Sequence, residues 1–219
     1  MTTDGPAATS TDDSSPANPH VGGFRDDFGF NTERGGPRYG ELVEQFRVLM
    51  DLARAADPTP ELVDGLIDQL TAVNAQLATA ETDEWSSPSG RRIDLTARGN
   101  VMLPPMVMDR ADATGITARV TFRRFHLGGN NAAHGGYIGT VFDDLLGMTS
   151  ALATRKITRT AYLNVNYRSI TQLHIEHTVE TSVTRVDGRK VFVEAKMRAG
   201  EQLCAEADAL FVILKPGQP

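Results

Sequence analysis

Between Gly136 and about Ala153 the chain reads "GYIGTVFDDLLGMTSALA", a segment with helical spacing and apolar residues on almost every side. A helix of that kind cannot rest at a surface with one face in water. It must be covered on most of its circumference, and the neighbouring segments are strands. "ITARVTFRRF" precedes it, with Ile116, Ala118, Val120 and Phe122 on one face and Thr117, Arg119, Thr121 and Arg123 on the other. "TAYLNVNYRS", "HIEHTVETSVTRV", "KVFVEAKMRA" and "LCAEADALFVIL" follow, each with period two. Asp187-Gly188 joins the middle pair as a hairpin. The expected order is strand, helix, then four strands in a meander, with a further short strand near Met106. One long helix enclosed by an antiparallel sheet is an α+β layout.

The rest of the chain divides by composition. Residues 1 to 37 are rich in Gly, Pro, Ser, Thr and Asp and read as a disordered leader, with Phe24, Phe28 and Phe30 as candidate docking residues. Residues 38–80 carry two apolar stripes. Leu42, Val43, Phe46, Leu49, Met50 and Ala53 form the first; Leu62, Val63, Leu66, Ile67, Leu70, Val73 and Leu77 form the second. "DPTP" separates them, with Thr59 as N-cap and Pro60 at the first helical position. The pattern predicts a helical hairpin whose apolar faces pack on the downstream domain, with a subunit contact as the alternative. Residues 81–100 read as a linker with Trp85 and Ile93 as anchors, and residues 101–215 as the main domain.

The net charge is −6 with no Lys/Arg-rich block, which argues against nucleic acid as a partner. A single cysteine, Cys204, excludes an internal disulfide, fits the cytosol, and reads as a small packing residue. The start of the chain has no secretory-signal pattern, and no apolar run is long enough to span a membrane. His174 and His177 of "HIEH" would point to opposite faces of a strand, so no metal pair is expected there. The chain has no G-x-S-x-G motif.

The chemistry gathers in "NNAAHGGYIGTVFDDLLG". Gly135 and Gly136 stand where a helix begins, with unpaired N–H groups and a dipole that favours negative charge. Lacking Cβ atoms, they let a reacting carbonyl come close, the geometry that holds an oxyanion. A tight loop-to-helix turn would need the same glycines. Asp143 and Asp144 sit among apolar residues, about 100° apart around the helix, and so cannot face one cleft together. An acid in such a helix is either paired or functional. Gly135 and Asp143 are also separated by roughly 12 Å along one helix. Two antiparallel copies of the helix about a twofold axis would bring the Gly of one chain to the Asp of the other.

"AHGGYIGTVFDDLLG", with "RTAYLNVNYRS" after it, resembles the PaaI-type acyl-CoA thioesterases of the hotdog superfamily over roughly residues 101–214. The resemblance implies a hotdog fold and acyl-CoA hydrolysis without metal or cofactor. It also implies a homodimer or dimer of dimers with an intersubunit site. By its spacing Asp143 is the catalytic carboxylate, as general base or nucleophile, and Gly135 gives the oxyanion-binding amide. Thr160 orients the water, and His134 positions the loop or contacts the thioester. Gly136, Asn130 and Asn131 contact substrate. Some members have an Asn six residues before the His, where this chain has Gly128. Arg155, Lys156, Arg159, Arg189 and Lys190 are candidate partners for CoA phosphates, with a solvated surface role as the alternative. A hotdog hydratase or dehydratase and a non-catalytic acyl-CoA binding module are the competing classes.

Overall fold

The structure, a computed structural model, describes residues 31–83, 86–215 and 218. Phe24, Phe28, Phe30 and Trp85 lie outside the described residues. Two helices come first, α1 (Tyr39–Ala55) and α2 (Pro60–Ala78). A single turn of 3-10 helix, Thr96–Gly99, leads into the hairpin of β1 (Met106–Asp112) and β2 (Gly115–Thr121). A second turn, Arg124–His126, precedes the short pair β3 (Leu127–Gly129) and β4 (Ala132–Ala133). Then come α3 (Gly135–Thr154), β5 (Thr158–Tyr167), β6 (Glu176–Asp187), β7 (Lys190–Ala199) and β8 (Gln202–Ile213).

Six strands form one antiparallel sheet in the order β1-β2-β6-β7-β8-β5. All six contact α3, so the sheet curls round the helix, as its all-round apolar character demands. Ile138, Val141, Phe142, Leu145 and Leu146 are buried against Ile116, Val120, Val179, Val193, Met197 and Phe211. Cys204 is fully buried in this core. The arrangement is α+β, a sheet wrapped round one long helix.

The strands differ from the expected meander in one place. β6, β7 and β8 are consecutive neighbours, but β5 pairs with β8 rather than with β6. The chain leaves β5 at Tyr167, passes through residues 168–175 and enters β6 beside β2. β5 is therefore an edge strand with one open ladder. His174 also departs from expectation. It lies in that connection at φ 63°, outside any strand, while His177 is buried on β6.

The N-terminal helices correct the expected packing. Thr59 does cap α2 through its hydroxyl, and Pro60 opens the helix. Yet α2 buries none of its residues, and its apolar stripe covers no part of the sheet. It is α1 that engages the domain. Val43 and Arg47 are buried, and Arg47 Nη2 donates to Thr96 O at 3.2 Å and Asn100 O at 3.1 Å. Residues 31–37, read as part of the leader, form turns held by Asn31 Oδ1, which accepts from the Glu33 and Arg34 N–H groups, and by Arg92, which donates to Arg34 O and Gly36 O.

Two buried histidines make acid stability a property of this core. His126 and His177 are both at 0% exposure and flank Phe122 edge-on. His126 Nδ1 accepts from the Arg123 N–H at 2.7 Å, while His126 Nε2 and both His177 nitrogens have no partner among the described residues. Burial pushes His126 down to about 4 and moves His177 in the same direction. The unfolded chain's histidines take up protons near the usual 6.5, so between about pH 6.5 and 4 the unfolded state binds more protons. Stability therefore falls as pH drops through that window. Melting curves from pH 7.5 to 4 are expected to show this fall, and it should be shallower in His126→Gln. A melting temperature independent of pH across the window contradicts neutral buried histidines.

Candidate active site

The two adjacent acids of α3 have different surroundings. Asp144 is largely buried and takes a bidentate ion pair from Arg98, Nη1 to Oδ2 at 3.0 Å and Nη2 to Oδ1 at 2.7 Å. Arg98 comes from the segment read as a linker. It also donates to Gly90 O and contacts Met148 Sδ. Asp143 is exposed at the edge of the sheet, and its Oδ1 accepts from the Thr160 hydroxyl at 2.9 Å. The carboxylate predicted to react is the accessible one, and its neighbour is consumed by an internal pair.

Thr160 reaches Asp143 because β5 is irregular there. The β5–β8 register shifts between Thr160 and Tyr162, so one extra residue re-aims the strand beside α3. The open ladder of β5 runs alongside this pair, with Tyr162 and Tyr167 exposed on it.

His134 is the N-cap of α3, and its Nδ1 accepts from the Gly136 N–H at 3.0 Å. Gly136 was expected to contact substrate, but its amide is already spent on the His134 ring. The Gly135 N–H has no acceptor among the described residues, which leaves it as the amide able to hold an oxyanion. Tyr167, which the sequence reading did not single out as a site residue, lies directly over Gly135. Its hydroxyl donates to Gly135 O at 3.0 Å, and a Cβ at position 135 would sit 2.8 Å from that oxygen. A side chain at position 135 would displace the Tyr167 ring and break this hydrogen bond.

Asn130 and Asn131 occupy the two-residue turn between β3 and β4, at φ 48° and 59°. Positive φ at both central residues is a type I′ hairpin, which Asn tolerates well, so turn chemistry alone accounts for both residues. Both are exposed.

The N-cap is tied to α1. The His134 N–H donates to His126 O at 2.8 Å. The turn carrying His126 is held in place by Asp51, whose Oδ1 accepts from the Phe125 N–H at 3.0 Å and whose Oδ2 accepts from Arg123 Nε at 2.7 Å. Glu44 Oε1 takes Arg123 Nη1 at 2.6 Å. An unbroken run of hydrogen bonds thus leads from α1 to the start of α3.

Of the candidate cations, Arg155, Lys156 and Arg159 are exposed at the far end of α3 and the start of β5. Arg189 is committed to Ile213 O through Nε at 2.8 Å, and Lys190 is exposed at the start of β7. Among the described residues no group of three or more His, Cys, Asp and Glu side chains is placed to hold a metal, and no helix is long and apolar enough to cross a membrane.

Residues 130–206 match the family model described as thioesterase superfamily. That range contains His134, Gly135, Asp143 and Thr160. The chain is 33% identical over 88 residues to the acyl-coenzyme A thioesterase THEM4 of Rattus norvegicus, covering 39% of this chain and 37% of that protein. The Mus musculus counterpart is 34% identical over 88 residues, with the same coverage. The chain thus aligns with little more than a third of either relative's length. The crystal structure of a thioesterase superfamily protein superposes with a TM-score of 0.68 at 22% identity, covering 80% of this chain and 94% of that one. That likeness concerns the fold, and it extends beyond residues 101–215 into the N-terminal segment. Residues 130–206 are thus similar in sequence to the thioesterase superfamily, and the sheet wrapped round α3 is a fold shared with a solved protein of that superfamily.

Proposed function

We propose that this protein hydrolyses acyl-CoA thioesters to a free acid and CoA at a site shared by two copies of the chain. One observation carries the reading: of two adjacent carboxylates on α3, Asp144 is locked by Arg98, while Asp143 stands exposed with the Thr160 hydroxyl on its Oδ1.

In the proposed reaction a water, or Asp143 itself, attacks the thioester carbonyl carbon. If Asp143 acts as base, it takes the water's proton as the C–O bond forms. If it acts as nucleophile, an acyl-aspartate forms and water then cleaves it. In either case negative charge develops on the carbonyl oxygen, and the Gly135 N–H at the positive end of α3 is the donor for it. Collapse of the intermediate breaks the C–S bond, and the leaving CoA thiolate takes up a proton. Thr160 holds the carboxylate in place, and His134 fixes the start of the helix through the Gly136 amide. No step calls for a metal or cofactor.

Two facts support a shared site. Gly135 and Asp143 are two turns apart on one helix, roughly 12 Å, so one chain cannot bring both to one carbonyl. Asp143 is also exposed in the single chain, whereas charge stabilisation of this kind is effective only where water is excluded. The open ladder of β5 beside Asp143 offers the edge along which a second copy can add its own β5. A homodimer is the minimal assembly, and a dimer of dimers is compatible with it.

The test is a panel of acyl-CoA substrates of increasing chain length, with release of the CoA thiol followed directly. Hydrolysis of at least one member, abolished by Asp143→Asn, is the expected outcome. Binding of acyl-CoA without thiol release would instead assign the chain to the non-catalytic binding class.

A further inference from the structure

Among the described residues, the second stripe of the N-terminal segment is packed against no other element of its own chain. Val63, Leu66, Leu70, Val73 and Leu77 are each 37–45% exposed on α2, flanked by the still more exposed Leu62 and Ile67. A helix of this length with no packed face is marginal in water, since most helical stability in proteins comes from packing an apolar face.

The spacing of the stripe says what kind of surface fits it. The five residues recur at intervals of three, four, three and four, the a/d pattern of a helix-to-helix seam. Leu62 and Ile67 border this seam and widen the apolar face on both sides. The charges show that the same helix in a second copy is a suitable partner. The charged residues of α2 are Glu61, Asp64 and Asp68, all of one sign. They lie roughly 140–180° round the helix from the seam. The residues bordering the seam on either side, Leu62, Gln69 and Gln76 on one and Ile67 and Asn74 on the other, carry no charge. Two copies can therefore meet along the seam with no like charges facing each other. All three acids lie in the N-terminal half of α2. Antiparallel pairing keeps them at opposite ends and sets the two helix dipoles head to tail.

We propose that α2 is a self-association element: its Val63–Leu77 seam packs antiparallel against the same seam of a second copy of this chain. A symmetric contact of this kind is isologous, and Leu70, at the middle of the stripe, falls near the twofold axis. The proposal does not depend on the hydrolase reading, because it rests on α2 alone.

Cysteine cross-linking of the full chain tests it. Cys204 is buried, so the wild-type chain serves as background. Leu70→Cys places a thiol on the seam, and Asp68→Cys places one on the opposite face. Both positions are exposed in the single chain, so neither substitution removes core packing. Under mild oxidation most Leu70→Cys chains should run as a covalent dimer on a non-reducing gel, and almost no Asp68→Cys chains should. Equal cross-linking at the two positions would mean random collision and overturn the proposal. Absence of cross-linking at Leu70 would overturn it as well. A Leu70→Cys thiol slow to react with maleimide would then show that a different surface covers the seam, and a fast one that the helix stands free.

Discussion

Asp143→Asn is expected to lower kcat for acyl-CoA hydrolysis by about a thousandfold, within the range typical of losing a positioned acid–base group, and to leave the melting temperature almost unchanged. Asn keeps a side-chain oxygen for the Thr160 hydroxyl, so the hydrogen bond from β5 to α3 persists. What it loses is basicity and nucleophilicity. Because the Asp143 side chain is exposed and in no ion pair among the described residues, the fold there does not rest on its charge. Thr160→Val should cost less, about tenfold, the weight of one hydrogen bond that orients rather than reacts. Steady-state kinetics beside thermal melts separate these effects. An Asp143→Asn enzyme with wild-type kcat would remove Asp143 from the mechanism.

Asp144→Ala should behave in the opposite way. The Arg98 side chain is only 11% exposed, and its guanidinium is matched to Asp144 by two short hydrogen bonds. Removing the carboxylate leaves a buried cation without its counterion, which costs about 3 kcal/mol. For a chain of this size that corresponds to a fall of roughly 10 °C in melting temperature. The pair also pins the segment in which Ala97 and Arg98 both adopt left-handed backbone angles, φ 51° and 55°. Part of the cost is therefore release of a strained turn. The double variant Arg98→Met with Asp144→Leu should recover much of the loss, since an apolar pair carries no desolvation penalty. If Asp144→Ala melts with the wild type, the pair contributes nothing and its burial is incidental.

These two variants also show what the sequence could and could not reveal. The placing of α3 and of its wrapping strands was legible because an all-round apolar helix leaves few options. That Asp143 and Asp144 must have separate fates followed from their 100° separation alone. Which acid was paired did not follow. Its partner Arg98 lies 46 positions away in a segment whose composition suggested only a linker. Sequence spacing carries no trace of such a contact. Thr160 could be placed beside Asp143 only by resemblance, since the bulge that aims it is invisible to a period-two pattern. Tyr167 was within reach as the end of "NVNY", but its position over Gly135 depends on how β5 crosses the start of α3. The pairing of β5 with β8 is not legible in the sequence, because period-two strands in succession suggest a meander in which each strand returns beside its predecessor. The eight-residue connection from Tyr167 to Glu176 is long enough to place β6 beside β2 instead. For α2 the amphipathic pattern was real, but amphipathicity states only that a face needs cover, not which molecule supplies it.

The segment outside the matched family region is also built into the site. Asp51 and Glu44 on α1 hold Arg123, Asp51 holds the turn before His126, and the His126 carbonyl receives the His134 amide. The start of α3, where an oxyanion would be held, is braced by a helix that lies about eighty residues earlier in the chain.

The most direct test of the account is complementation between two inactive chains. Asp143→Asn removes the carboxylate. Gly135→Val places a side chain 2.8 Å from the Tyr167 hydroxyl and blocks the oxyanion amide. Each chain alone should be inactive. Co-expressed in equal amounts and purified through two different tags, hybrid dimers would hold one site with both groups intact, Gly135 from one chain and Asp143 from the other, and one site with both damaged. Random pairing at a twofold interface then predicts about a quarter of wild-type activity in the mixed population, and about half in the purified hybrid. Hybrid dimers no more active than the two parents would contradict a site shared between subunits.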